Sequence, residues 1–165
     1  MFVSDQPPSS PQELDALEAR IDAFLTRQLD ENEVVKALDR GEPGQRRWYL
    51  RLAGEAKATF TIWFTLGQRT LSFETYVMPA PEENHLAFYE HLLRRNRKLY
   101  GMCFALGDED AVFLVGQLAN PDIDDEALDR IVGSVYAYVE QFFLPALRIG
   151  FASRFAAAGS GPHPG

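Results

Sequence analysis

The sequence predicts an α+β fold in which helices pack on an antiparallel five-stranded sheet, in the order α-β-β-β-α-β-β-α. Near both ends of the chain, apolar residues recur at three- and four-residue spacing, which indicates amphipathic helices. Between these regions, apolar and polar residues alternate with period two in short segments separated by turn residues, which is typical of strands joined by hairpins. Short hairpins make neighbouring strands antiparallel, so the chain favours an α+β sandwich.

The first helix is predicted to begin at Pro11, behind an N-cap at Ser10 and with Glu13 completing a capping box. Its apolar side consists of Leu14, Leu17, Ile21, Phe24 and Leu25. Residues 31–39 then predict a short helical piece that ends at Gly41.

Three strands are predicted next, over residues 47–52, 59–66 and 71–77. β-branched and aromatic residues are frequent in them, and they alternate between an apolar and a more polar side. Gly67 and Gln68 favour a two-residue hairpin loop between the second and the third strand.

The second helix is predicted to start near Pro81, which can sit in its first turn, and Glu82 and Glu83 complement the positive end of the helix dipole. Its predicted apolar side is formed by Leu86, Tyr89, Leu92 and Leu93. Two more strands follow over residues 100–106 and 112–118, and the second of these is an almost continuous apolar run, as in a central strand.

The last helix is predicted to start in the acidic stretch 122–126 and to be kinked or ended by Pro145. We expect one domain over residues 10–155. Residues 1–9 are polar and contain Pro7, Pro8 and Ser9, and residues 156–165 consist mostly of alanine, glycine and proline, so both are expected to be disordered tails.

The composition of the chain argues against several classes of function. Hydrophobic residues make up 46% of the 165 residues, the net charge is −8, and Cys103 is the single cysteine. The acidic charge weighs against binding to nucleic acid. No apolar run is long enough for a membrane span, and the N-terminus lacks the features of a signal peptide, so we expect a cytoplasmic protein without a membrane partner.

We expect no metal site, no cofactor and no catalytic residues. His85 and His91 are six residues apart and cannot share one helix face, and His163 lies in the predicted C-terminal tail. No nucleotide-binding or nucleophile motif occurs. Cys103 lies among small residues and is expected to be a buried packing residue.

The second face of the predicted sheet is not cleanly polar. Trp63 lies there among threonines, and Tyr49 and Tyr76 lie on strands that could be its neighbours. Two interpretations stay open: one of the helices covers this face, or the face is a contact surface for a partner.

Two other sites deserve consideration. A small-molecule sensor or an enzyme could use a pocket around four residues near the start of the second helix, Glu82, Asn84, His85 and Tyr89. Arg47, Tyr49 and Arg51 have the composition of an RNA-stacking platform, although a mixed strand with one core face and one solvent face explains them better.

Five stretches carry a resemblance to a known family: RTLSFETYVMPAPEENH from residue 69, YEHLLRRN from 89, FALGDEDA from 104, LVG from 114 and YVEQFFLPALRIGFA from 138. Over residues 45–155 the chain resembles the actinobacterial branch of the YbjN family, whose described role is sensory transduction regulation in bacteria. The resemblance implies a domain like the type III secretion chaperones, which is commonly a homodimer. It implies no catalytic motif.

These observations together predict a non-enzymatic protein-interaction module, chaperone-like or regulatory, that acts as a homodimer and binds an unknown protein client. The predicted partner-binding residues are aromatic anchors on the sheet and a basic cluster on the second helix, namely Trp63, Tyr49, Tyr76, Arg94, Arg95 and Arg97.

Overall fold

The computed structural model describes residues 6–159 and has an α+β architecture. The helices are α1 (Pro11–Glu31), α2 (His85–Asn96), α3 (Asp125–Gly150) and α4 (Ala152–Gly159). The strands are β1 (Val35–Arg40), β2 (Arg47–Ala53), β3 (Thr59–Leu66), β4 (Thr70–Met78), β5 (Met102–Leu106) and β6 (Val112–Ala119). No helix in the described part of the chain has both the length and the apolar character needed to cross a membrane.

The six strands form one sheet in the order β1-β2-β3-β4-β6-β5, and every neighbouring pair is antiparallel. The predicted antiparallel sheet is therefore confirmed, with β1 as an additional strand. The apolar strand β6 lies between β4 and β5, as its sequence predicted.

The helical piece predicted over residues 31–39 is wrong, because this segment forms the edge strand β1. Asn32 ends α1: its N–H donates to the carbonyl of Gln28, and its own side-chain oxygen accepts from the N–H of Val34 at 3.2 Å. Such a turn redirects the backbone, and the following residues then pair with β2.

The predicted start of the second helix near Pro81 is also wrong, because α2 begins at His85. Asn84 has φ 54° and ψ 40°, so the left-handed backbone at this residue separates the preceding segment from α2. The N–H groups of Glu82 and Glu83 both donate to the carbonyl of Gly150, at 2.9 and 3.1 Å. The segment before the helix is thus held against the end of α3.

The predicted start of the first helix is confirmed, and two other predictions differ from the structure in detail. The capping box of Ser10 and Glu13 is present at the start of α1. Of the two predicted effects of Pro145, an end of the last helix is wrong, because α3 continues to Gly150. The loop between β3 and β4 is one residue longer than the predicted hairpin loop, and the N–H of Gly67 donates to the carbonyl of Thr70 across it.

The described residues extend slightly beyond the predicted domain on both sides. Ser9 donates its N–H to the carbonyl of Gln68 at 2.7 Å, and Gln6 accepts from the Nε of Arg69. The helix α4 runs to Gly159 and so crosses the boundary predicted at residue 155. The remaining parts of the predicted tails, residues 1–5 and 160–165, lie outside the described residues.

The hydrophobic core lies between the helices and one face of the sheet. α3 buries its long apolar stripe there, and α1 buries Ile21 and Leu25 completely. Trp48 on β2 is fully buried in this layer, and its Nε1 donates to Oδ1 of Asp22 on α1 at 3.0 Å. This arrangement places every second side chain of the central strands on the opposite face.

Candidate functional site

The sheet face opposite the helices, here called the open face, is the candidate binding surface. Its side chains on β2, β3, β4, β5 and β6 are half-buried or exposed. On β2, β3 and β4 their neighbours along the strand are buried in the core. Within residues 6–159, no helix covers it. Of the two interpretations left open by the sequence, the described residues thus favour an uncovered face.

One cross-strand row runs through the middle of the open face. Tyr49 pairs with Trp63, Trp63 with Glu74, Glu74 with Val115, and Val115 with Cys103. The rings of Tyr49 and Trp63 meet edge to face, with centroids 5.8 Å apart. Side chains that are directly opposite on neighbouring strands pack against one another, so this row forms one continuous surface.

All three aromatic anchors predicted from the sequence lie on this surface, and Tyr49 is the half-buried one. Trp63 is 43% exposed and Tyr76 is 41% exposed. Tyr76 makes its own edge-to-face contact with Phe113 of β6, at 5.7 Å between centroids. Each exposed anchor is therefore oriented by an aromatic neighbour, which reduces the side-chain entropy that a bound partner would have to remove.

A shallow concavity of about 690 Å³ lies on the open face beside Trp63. Its lining includes the polar residues Thr65, Ser72, Glu74 and Gln117, together with Val115 and Cys103. Among the described residues Glu74 has no ion-pair partner. The concavity thus combines an aromatic wall with an available carboxylate.

Cys103 was expected to be buried, and this prediction is wrong because the residue is exposed. Cys103 and Ala105 lie on the same side of β5, since Phe104 between them is buried. That side is the open face, and small residues there leave the thiol accessible.

Lys57, in the loop between β2 and β3, lies beside Tyr76. Its ammonium group is 5.4 Å from the centroid of the Tyr76 ring and 5.1 Å from that of Phe143 on α3. Burial lowers the pKa of Lys57 and raises the pKa of Tyr76. The edge of the open face near the loop between β2 and β3 therefore includes a cation that is held by aromatic rings.

The predicted basic cluster lies elsewhere. Arg94 and Arg95 are in the last turn of α2, and Arg97 follows as its C-cap. α2 packs on the helical side through Phe88 and Leu92, so the structure does not bring the arginines together with the aromatic anchors. Arg94 donates to Oε1 of Glu90 at 2.6 Å.

The apolar side predicted for α2 is partly wrong. Phe88 is fully buried and Leu92 is 5% exposed, but Leu86 is 82% and Leu93 is 68% exposed. The sequence carried one indication of this, because Phe88 and Leu92 have the four-residue spacing of a buried pair. The prediction, which started the helix near Pro81, instead assigned Leu86, Tyr89, Leu92 and Leu93 to the side that faces the core.

The residues of the alternative pocket have structural contacts. Glu82 forms an ion pair with Arg154, and the Nδ2 of Asn84 donates to the carbonyl of Ile149 at 2.9 Å. The rings of His85 and Tyr89 lie 6.3 Å apart. Glu82 and Asn84 thus tie the start of α2 to the C-terminal helices.

In the same described range, no group of three or more histidine, cysteine, aspartate or glutamate side chains is arranged to hold a metal ion.

Residues 20–147 match the model of the YbjN family, whose description is "Putative bacterial sensory transduction regulator". Uncharacterised proteins of Mycobacterium bovis and Mycobacterium tuberculosis are 36% identical over 104 residues, which is 63% of this chain and 57% of theirs. One from Mycobacterium leprae is 32% identical over 110 residues, 67% of this chain and 60% of its own length. The chain thus matches less than two thirds of the length of these relatives.

Two solved structures are similar to the chain. One is the Yersinia pestis type III secretion chaperone SycH in complex with a stable fragment of YscM2, at 16% identity and a TM-score of 0.48, over 74% of this chain and 96% of that one. The other is the heterodimeric ExoU–SpcU complex of the Pseudomonas aeruginosa type III secretion system, at 14% identity and a TM-score of 0.49, over 76% and 96%. The family model matches most of the sequence, and the chain therefore belongs to the YbjN family.

Proposed function

We propose that this protein is a non-enzymatic protein-interaction module, chaperone-like or regulatory, that binds a protein partner on the open face and acts as a homodimer in the cytoplasm. The observation that carries the proposal is the uncovered, aromatic open face. Trp63 and Tyr76 remain more than 40% exposed although each is fixed by a ring on a neighbouring strand. Large aromatic side chains in such positions supply much of the contact energy in protein interfaces.

The character of the open face also suggests what kind of segment binds. It is wide and shallow rather than an enclosed cavity, which suits an extended polypeptide better than a small metabolite. Threonine and serine side chains between the aromatic residues offer hydrogen bonds, and Glu74 offers a carboxylate to a basic group of the partner. Arg94, Arg95 and Arg97 lie outside this surface and would act in a second contact.

The proposal is tested with Trp63→Ala, which removes the central anchor. Wild type is used to capture proteins from the native cell extract, and each retained protein is purified. Its affinity is then measured by calorimetric titration against both forms. Loss of the large aromatic contact should weaken binding at least tenfold, in line with the roughly 2 kcal/mol or more that a hot-spot residue contributes.

Leu29→Ala serves as the matched control, because Leu29 is an exposed apolar residue on α1, away from the open face. Leu29→Ala should bind the purified partner as tightly as wild type. If Trp63→Ala also binds it as tightly as wild type, the open face is not the binding surface. A metabolite thermal-shift screen on the same protein checks the sensor or enzyme alternative.

A further inference from the structure

Glu74 is the only charged residue in the four strands β3, β4, β5 and β6. It is half-buried and lines the concavity beside Trp63, so its carboxylate can be reached from outside the sheet. Within residues 6–159 it forms no ion pair. The middle of the open face therefore presents one carboxylate on a surface that is otherwise uncharged.

The positive groups of the open face lie away from this carboxylate. Arg47 and Arg51 belong to β2, which is separated from β4 by β3, so their strand is about 10 Å from that of Glu74. The Lys57 ammonium group lies over the ring of Tyr76. A group that neutralises Glu74 must therefore come from the bound partner.

A partner that covers the open face has to satisfy this carboxylate. Removing an ionised carboxylate from water without a compensating positive group is strongly unfavourable. A segment with an apolar or acidic side chain opposite Glu74 would therefore bind weakly here. A segment with a cation at that point forms a charge-assisted hydrogen bond instead, so Glu74 selects partners by charge.

The surroundings of Glu74 fit a guanidinium group better than an ammonium group. Trp63 is its direct partner on β3 and is 43% exposed. A planar guanidinium can lie against this ring while it donates to both carboxylate oxygens. Ser72, and Gln117 opposite it on β6, provide side-chain oxygens for the remaining N–H groups. Val115, on the other side of Glu74, offers apolar surface to the aliphatic stem.

We propose that the concavity beside Trp63 is a subsite for one arginine side chain of the protein partner, with its guanidinium paired to Glu74 and lying against Trp63. The inference rests on the proposed function and specifies the chemistry that selects the partner. The concavity of about 690 Å³ also has room for the residues on either side of the arginine, as an extended segment requires.

The test begins with a phage-displayed library of random peptides, selected on the wild-type protein and depleted of those that also bind Trp63→Ala. The remaining peptides should share one arginine. The most enriched peptide is synthesised, and calorimetric titration measures its Kd. The isosteric variant Glu74→Gln should weaken binding at least about tenfold. Asp39→Asn is the matched control, because exposed Asp39 lies opposite Tyr49 on the same sheet face, and it should leave the Kd unchanged.

A second comparison changes the peptide and leaves the protein intact. Citrulline has nearly the shape of arginine but no charge. The citrulline peptide should bind wild type as weakly as the arginine peptide binds Glu74→Gln, and Glu74→Gln should no longer distinguish the two peptides. The wild-type part of this comparison remains decisive if Glu74→Gln proves unfolded by circular dichroism.

The possible results separate the subsite from the proposed function. If the Trp63-dependent peptides share no arginine, or if Glu74→Gln and Asp39→Asn weaken binding equally, the arginine subsite is wrong while the open face remains the binding surface. Free arginine that binds as tightly as the peptide would also contradict the subsite, since it would assign the concavity to a small molecule. If no selected peptide depends on Trp63, the proposed function itself fails.

Discussion

Glu140 on α3 occupies the space that Gly54, after β2, leaves free by having no side chain. A Cβ built at position 54 would overlap with Oε1 of Glu140. The same carboxylate accepts hydrogen bonds from the backbone N–H groups of Glu55 at 3.0 Å and Ala56 at 2.8 Å. A glycine on one element and a carboxylate on another thus fix the loop between β2 and β3 against the longest helix.

We predict that Glu140→Ala destabilises the fold, because two backbone amides lose a charged acceptor. The expected loss in the free energy of unfolding is about 2 kcal/mol, since hydrogen bonds to charged groups contribute roughly 1.5–3 kcal/mol. Urea denaturation measures it. Gln141→Ala, at an exposed position of the same helix, is the control and should change stability by less than about 0.5 kcal/mol. Equal stabilities of the two variants would contradict this account of the loop.

Truncation of the two tryptophans should lower the stability of the protein by very different amounts. Trp48 is fully buried, donates to Asp22, and has the Arg40 guanidinium 4.5 Å from its ring centroid. Trp48→Ala should therefore cost roughly 3–5 kcal/mol of stability, as large core truncations do. Trp63→Ala should cost much less, because Trp63 is 43% exposed. Thermal melts of both variants decide the matter, and a comparable loss in Trp63→Ala would mean that Trp63 serves the core.

Acid should destabilise the protein through His91. Burial, and then the charge of Arg95, lower the pKa of His91 below its ordinary value, and its buried Nε2 has no hydrogen-bond partner within residues 6–159. The unfolded chain therefore binds more protons than the folded one as the pH falls below about 6.5, so stability decreases towards acid pH.

His91→Gln removes this titrating group. Urea denaturation at pH 7.5 and pH 5.0 should show a smaller loss of stability in His91→Gln than in wild type. His85→Gln is the matched control, because His85 is exposed on the same helix. An unchanged pH dependence in His91→Gln would show that His91 is not the group responsible.

Asn96→Ala should expose the backbone of β5. The amide of Phe104 bonds to Asn96 rather than to β6, so its hydrogen exchange should accelerate in the variant. The neighbouring amide of Ala105 points towards β6 in an antiparallel ladder and provides the internal control. If both amides accelerate equally, the variant has loosened the whole strand. If neither does, Asn96 does not protect the edge.

The sequence predicted those elements whose own residues decide their structure. β2, β3 and β4 each have the period-two pattern of a strand with one buried face, and the core positions Leu50, Ile62 and Phe73 are buried as expected. The capping box at Ser10 likewise predicted the start of α1, because it depends only on residues three apart. The open face follows from the same alternation.

Tertiary contacts decided the elements that the sequence did not predict. β1 has a mixed pattern and becomes a strand because β2 offers it an edge. The start of α2 depends on the carbonyl of Gly150, which lies far away in the chain and holds the preceding segment. Neither β2 nor the carbonyl of Gly150 belongs to the local sequence pattern of the element that it stabilises. For the exposure of Leu86 and Leu93, the spacing of Phe88 and Leu92 was the one indication in the sequence. The partner-binding role of Trp63 stays a prediction.

The one-sided covering of the sheet has a consequence for how this protein can evolve. On β3, the residues that face the helices and those that face outward alternate one by one, so Phe64 and Trp63 are chain neighbours with separate tasks. Point substitutions at the outward positions can change the choice of partner while the folded scaffold is conserved. A one-residue insertion in the same strand would exchange the two faces, so selection should tolerate point substitutions here and remove insertions.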